Sequence, residues 1–68
     1  MSKAGFAREK CRQLLLRIPN DCDRTATDMA IFHDMLDERF AKLQETIQAQ
    51  IALLGEVATQ YRELYKHW

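Results

Sequence analysis

Three oxygen-bearing side chains follow Pro19 at the spacing of calcium ligands. Asp21, Asp23 and Thr25 stand two residues apart, as do the first ligands of a 12-residue calcium-binding loop. The later positions do not fit, because the glycine of the sharp turn is replaced by Ala26 and the bidentate glutamate by Phe32. We therefore interpret this stretch as an acidic turn that caps a helix, and we expect no calcium there.

Other potential metal ligands or nucleophiles are scattered singly along the chain: Cys11, Cys22, His33 and His67. Zinc sites need ligands paired at close spacing, such as Cys-x-x-Cys, and none of these four residues is so paired. Cys11 falls on the apolar face of a predicted helix, where we expect it to be buried as a small hydrophobe. Cys22 falls in a predicted loop and is the more reactive of the two. We expect no metal, no cofactor and no small-molecule substrate.

His33 and Asp37 are one helical turn apart and could form a hydrogen bond. A histidine among apolar helix positions is typical of a packing residue that selects helix register. If His33 is buried, its protonation would oppose assembly, because desolvation disfavours the charged form. His33 is thus a candidate register residue or pH switch, and we predict that the protein is not an enzyme.

The composition describes one small, nearly neutral unit. The 68 residues include ten basic and ten acidic side chains, and 47% are apolar. A chain of this size is close to the limit at which one core offsets the entropy of folding. We find no signal-peptide pattern and no apolar run that could span a membrane, so we expect a reducing compartment, cytoplasmic or nuclear.

The basic residues cluster before residue 18, and this asymmetry supports an alternative function. A first helix with this charge could contact nucleic acid or an anionic membrane surface in a small regulator. These basic residues are Lys3, Arg8, Lys10, Arg12 and Arg17.

Helix-forming residues dominate both sides of Pro19, and the pattern predicts an all-α hairpin. Apolar residues at helical spacing predict a first helix at about 6–18, which Pro19 ends. The turn formers of "PNDCDRTATD" predict a loop at 19–25, and Thr25 with Asp28 forms a capping box for the next helix; Asp23 is the alternative cap. The predicted hairpin core consists of Cys11, Leu14, Leu15 and Ile18.

The second helix is predicted to run from about 26 to 66 with a heptad pattern. One set of seam positions is Ala26, His33, Phe40, Ile47, Leu54, Tyr61 and Trp68. The other set is Met29, Leu36, Leu43, Gln50, Val57 and Leu64. Gly55 could break this helix into two, but the apolar residues on both sides stay in phase, so we predict a continuous helix.

A first helix of this length would cover only about a third of the second, so the stripe past Leu43 would lack an intramolecular partner. This predicts self-association or a partner protein. Apolar residues beside the seam, including Phe32 and Leu53, favour a bundle of three or four helices over a two-stranded coiled coil. The predicted interface contains Met29, Phe32, Leu36, Phe40, Leu43, Ile47, Gln50, Ile51, Leu54, Val57, Tyr61, Leu64, Tyr65 and Trp68.

We therefore predict a single helical hairpin that assembles into a multi-helix bundle or coiled coil. Its expected function is noncatalytic: a protein-protein interaction or oligomerisation module within a scaffold, tether or kinetochore-like complex. The expected partner is the chain itself, as a homodimer or tetramer, or another helical protein. We do not expect nucleic acid or membrane as the main partner.

Overall fold

The protein is an all-α hairpin of two long antiparallel helices. The computed structural model describes residues 3–68, with side chains from residue 5 onward. Helix α1 spans Lys3–Met35 and helix α2 spans Ala41–Lys66, with a short 3₁₀ turn at Glu38–Phe40 between them. The hairpin measures 56 × 18 × 14 Å. Neither described helix has a stretch that is both apolar and long enough to cross a bilayer.

Helix α1 continues through Pro19, so the predicted end of the first helix and the loop at 19–25 are wrong. Proline in a helix interior removes one backbone hydrogen bond and crowds the preceding turn, at a cost of about 3 kcal/mol. Here the ring of Pro19 is fully buried, with less than 2% of its surface exposed. This burial offsets part of the cost. Within the supposed loop, the hydroxyl of Thr27 donates to the carbonyl of Asp23 at 3.0 Å, as side chains do inside a helix.

The chain reverses at residues 36–40, which contain neither glycine nor proline. The carboxylate of Asp37 caps the 3₁₀ turn by accepting from the backbone N–H of Arg39 at 3.0 Å and from its guanidinium at 3.0 to 3.3 Å. The amide of Gln44, on α2, donates to the carbonyls of Leu36 at 2.9 Å and His33 at 3.2 Å. A side chain of the second helix thus binds carbonyls at the end of the first, where helical backbone hydrogen bonds run out.

The two helices pack along a seam that runs almost their whole length. Arg8 contacts Trp68 at the open end, and Gln44 contacts Leu36 at the turn. Part of the stripe past Leu43, including Ile47, Leu54 and Tyr61, is therefore covered by α1 of the same chain, contrary to the sequence-based prediction, whereas Leu64 stays exposed. The buried and half-buried seam residues are Leu15, Pro19, Cys22, Ala26, Met29 and His33 of α1, Leu36 of the turn, and Gln44, Ile47, Ile51, Leu54, Ala58, Tyr61 and Tyr65 of α2.

The turn also changes the heptad register that the sequence predicted. Ile47, Leu54 and Tyr61 stay in the seam. The second predicted set in α2 is displaced by one residue, so that seam positions fall at 44, 51, 58 and 65 instead of 43, 50, 57 and 64. A single register could not run through a chain reversal at 36–40.

Helix α2 runs through Gly55 without a break, as predicted. Gly55 is exposed, and a β-carbon at this position would meet no atom within 4 Å outside the local helix. The glycine therefore meets no packing requirement in the hairpin.

We expect Pro19→Ala to stabilise the hairpin by roughly 1 kcal/mol. Alanine restores the helical hydrogen bond and removes the steric clash, worth about 3 kcal/mol, while the lost ring packing costs about 1.6 kcal/mol for two buried methylene groups. Urea unfolding followed by circular dichroism measures the change. A loss of stability would mean that the packing of the ring outweighs the helical penalty.

We expect Gly55→Ala to raise the free energy of unfolding by about 1 kcal/mol, because alanine loses less backbone entropy in a helix interior. Thermal unfolding at matched concentration tests this. An unchanged or lower midpoint would show that the glycine has a structural role that the hairpin does not display.

Hydrogen bonds from the Arg39 side chain and then from its backbone N–H lower the pKa of Asp37. The fold favours the charged form of Asp37. The carboxylate therefore makes its full contribution to stability above the pKa that Asp37 has in the unfolded chain, and this contribution is lost as the pH falls through the lower pKa of the folded chain. We expect Asp37→Asn to be less stable than wild type at neutral pH and equal to it in strong acid. Urea unfolding at both pH values tests this; a carboxyl titration by NMR at or above the ordinary aspartate pKa would contradict it.

Candidate interaction surface

The side of the hairpin that carries Asn20 and Asp23 of α1 and Arg62 of α2 is polar. The Arg62 guanidinium donates to the Asp23 carboxylate at 2.6 Å and to the Asn20 side-chain oxygen at 3.0 Å. Both partners of the ion pair are about half exposed. Exposed pairs of this kind contribute about 1 kcal/mol or less, so their main effect is to mark this surface as a hydrated one.

Two arginines of α1 contact aromatic rings of the same chain at the open end. The guanidinium of Arg8 lies 5.2 Å from the centre of the Trp68 ring, and that of Arg12 lies 5.9 Å from the Tyr65 ring. A hydrogen bond with Tyr65 raises the pKa of Arg12. Both distances are within the range of cation-π attraction. These arginines therefore hold the end of the chain against α1.

The remaining basic residues of the predicted cluster do not gather around this pair. Arg17 lies 3.9 Å from Asp21 on α1 itself. Lys10 is two residues from both Arg8 and Arg12, which places it about 200° around the helix from each. The side chain of Lys3 lies outside the described side chains. The described basic residues of α1 are thus divided between two sides of the helix.

The opposite side of the hairpin is apolar, and we call it the apolar face. Positions two residues apart on a helix point about 200° apart, so Thr25 lies away from Asp23, and Leu64 lies away from Arg62. One shallow groove near the open end is lined by Cys11, Leu14, Leu15, Ile18, Tyr61, Leu64 and Trp68. A second is lined by Thr25, Met29, Gln50, Leu53 and Leu54.

Helical spacing extends the apolar face to Phe32, Leu43 and Val57. Its large side chains are strongly exposed, with 57% of Leu53, 56% of Phe32 and 47% of Leu64 open to solvent. None of the residues that form the apolar face is charged. Contiguous apolar surface of this kind is typical of an interaction site, whereas singly exposed apolar residues are normal.

The structure divides the predicted interface residues among the seam, the turn and the apolar face. Ile47 is buried inside the hairpin, and Leu36, Ile51 and Tyr65 are half-buried in its seam. Phe40 is exposed in the turn. Met29, Leu54 and Tyr61 are half-buried seam residues that also line the grooves. The rest lie on the apolar face: Phe32, Leu43, Gln50, Val57, Leu64 and Trp68.

The predicted hairpin core is only partly buried. Leu15 is buried, Leu14 and Ile18 are half-buried, and Cys11 is exposed. The prediction of a buried Cys11 is wrong, because this residue lies beside the seam near the open end, where it borders the groove. Cys22 is half-buried within α1, so its predicted position in a loop is also wrong. Sequence analysis did not identify Thr25 as a residue that lines a groove or Gln44 as the residue that binds carbonyls at the end of α1.

His33 contacts a different acid from the one that its spacing suggested. Its Nδ1 lies 3.2 Å from the carboxylate of Asp34, while Asp37 caps the turn. His33 is half-buried in the seam, and its role as a register residue or pH switch stays a prediction. Among the described residues, no three His, Cys, Asp or Glu side chains are grouped so that they could hold a metal ion.

Comparison of the chain with protein-family models, with curated proteins and with solved structures finds no match.

Proposed function

We propose that the protein is a noncatalytic protein-protein interaction or oligomerisation module and that its apolar face is the surface that binds a partner. The observation that carries this proposal is the continuity of the apolar face, which has large exposed side chains and no charged member. Such a module would serve as a subunit of a larger helical assembly, such as a scaffold or tether. A cytoplasmic or nuclear setting would keep Cys11 and Cys22 as free thiols.

The energetics of a two-helix layer support this function. Stable domains bury their apolar surfaces between at least two layers of secondary structure, and a hairpin provides one. In the described chain, the buried apolar side chains are Leu15, Ile47, Ala58 and Pro19. Each large side chain left exposed forgoes roughly 1.5 to 3 kcal/mol of burial. A partner on the apolar face would supply the missing layer.

The alternative function, contact of a basic first helix with nucleic acid or an anionic membrane, has less support. Arg8 and Arg12 pack on aromatic rings, and Arg17 lies near Asp21. Salt separates the two functions, since phosphate binding weakens steeply with salt and apolar association does not. The proposed module therefore keeps its assembly in high salt.

We expect Leu53→Asp to weaken association at least about a hundredfold, because it removes a buried leucine worth roughly 1.5 to 3 kcal/mol and buries an unpaired carboxylate. Sedimentation equilibrium over a hundredfold concentration range measures the change. Gln48→Asp is the matched control, because it places the same residue in α2 on the exposed polar side. The control is expected to associate like wild type.

The proposed function would be overturned if the wild-type chain stays monomeric and fully helical over this concentration range, and if Leu53→Asp and Gln48→Asp have equal free energies of unfolding. That result would show that the hairpin is complete without a second layer. Circular dichroism on the same samples provides the measure of helicity.

A further inference from the structure

We infer that the partner on the apolar face is a second copy of this chain, packed so that α1 lies antiparallel against α1 of the copy. Two hairpins then form a four-helix bundle whose turns lie at opposite ends. This inference rests on the proposed function and adds to it the identity and the orientation of the partner.

The exposed area of the hairpin matches what such a dimer needs. The chain exposes 5623 Å². A compact monomer of 8.0 kDa is expected to expose about 4,450 Å², so the hairpin has an excess of roughly 1,200 Å². A stable interface removes about 800 Å² from each partner, and permanent homodimers remove more. An interface with one second copy is therefore large enough to bury the excess exposed area.

The uncharged composition of the apolar face suits a copy of itself. In a two-fold interface the same patch meets its own image, so any charge at the centre would face a like charge. The apolar face has no charged residue, and its polar members, such as Thr25 and Gln50, are neutral. Self-pairing therefore brings no repulsion at the centre of the interface.

The charges at the outer edge of α1 are complementary to those of the second copy when a two-fold axis relates the two α1 helices in antiparallel orientation. Helical spacing places Lys10, Arg17, Asp21 and Asp28 along this edge, next to the apolar face. Lys10 and Asp28 are each nine residues from Pro19, and Arg17 and Asp21 are each two residues from it. When two α1 helices cross at Pro19, each lysine or arginine of this edge lies level with an aspartate of the other copy.

The same crossing point brings together the exposed leucines of α2. Arg12 lies over the ring of Tyr65, and Gln44 binds the carbonyl of His33. In both pairs the two residue numbers add to 77, so the level of Pro19 in α2 lies near Ala58. A two-fold at this level places Leu53 of one copy opposite Leu64 of the other. These two side chains are 57% and 47% exposed in the single hairpin.

A parallel arrangement, with both turns at one end, lacks this match. It would place α1 against α2 of the copy, whose corresponding edge contains Lys42, Thr46, Leu53 and Gln60. This edge has no acidic residue for Lys10 or Arg17. The charge pattern therefore favours the antiparallel dimer.

Charge exchange tests the pairing at the edge. The variant Lys10→Glu/Arg17→Glu has an acidic edge, and Asp21→Lys/Asp28→Lys has a basic edge. At low salt we expect each variant alone to associate about tenfold more weakly than wild type, since four exposed contacts change from attraction to repulsion. We expect an equimolar mixture, and a single chain with all four substitutions, to regain wild-type affinity.

A distance between the two turns tests the orientation. A nitroxide is attached at Glu38→Cys in a chain with Cys11→Ser and Cys22→Ser, and pulsed electron paramagnetic resonance measures the separation in the dimer. The antiparallel bundle predicts a separation near the 56 Å length of the hairpin. The parallel bundle predicts about 20 Å or less, from the spacing of packed helices.

The outcomes separate this inference from the proposed function. A poorly helical monomer would overturn the second copy and leave the interaction module standing, because the missing layer would then come from another protein. A fully helical monomer would overturn both. A dimer with a short separation between its labels, or with no response to charge exchange, would overturn the antiparallel arrangement.

Discussion

The constraint on which this structure depends is that two helices side by side can cover only one stripe of each other. Apolar residues occupy a wider arc of both α1 and α2 than the seam between them can bury. The seam takes residues such as Leu15 and Ile47, and residues such as Phe32 and Leu53 stay outside it. Because Phe32, Leu53 and Leu64 fall on one side, the hairpin has an apolar face, as an amphipathic helix does on a smaller scale. The other side is mainly polar, although Leu16, one turn before Asn20, is exposed there.

The two faces differ in how polar groups are used. On the polar side, Arg62 links α2 to Asp23, and the arginines near the open end lie over Trp68 and Tyr65. At the turn end of the seam, Gln44 binds the carbonyls of His33 and Leu36. Polar contacts therefore hold the two ends of the hairpin and, through Arg62, the middle of its polar side, while the buried part of the seam is mainly apolar. This distribution leaves the apolar face free of charges that would need partners.

The helical content and the antiparallel pairing could be predicted from helix-forming composition and apolar spacing. The place of the reversal could not, because local signals misled. Pro19 and the turn formers after it indicate a loop when considered alone, yet the buried proline ring is compatible with one long helix. At the actual turn, the only signal for a helix start is Asp37 followed by Glu38. The apolar helical spacing continues across this signal without a break. The role of Gln44 depends on tertiary contact and has no sequence signature. Apolar spacing did identify most residues of the apolar face, but it could not separate them from the seam.

The bond between Gln44 and the end of α1 also bears on the order in which the hairpin forms. Gln44 and Leu36 are eight residues apart in the chain, whereas Arg8 and Trp68 are separated by 60. The entropy lost in closing a loop grows with its length, so contacts at the turn form at the smallest cost. Each contact made there shortens the loop that the next one must close. Loop-closure entropy therefore favours formation of the helix contacts in order from the turn toward the open end, with the arginine-aromatic contacts formed last.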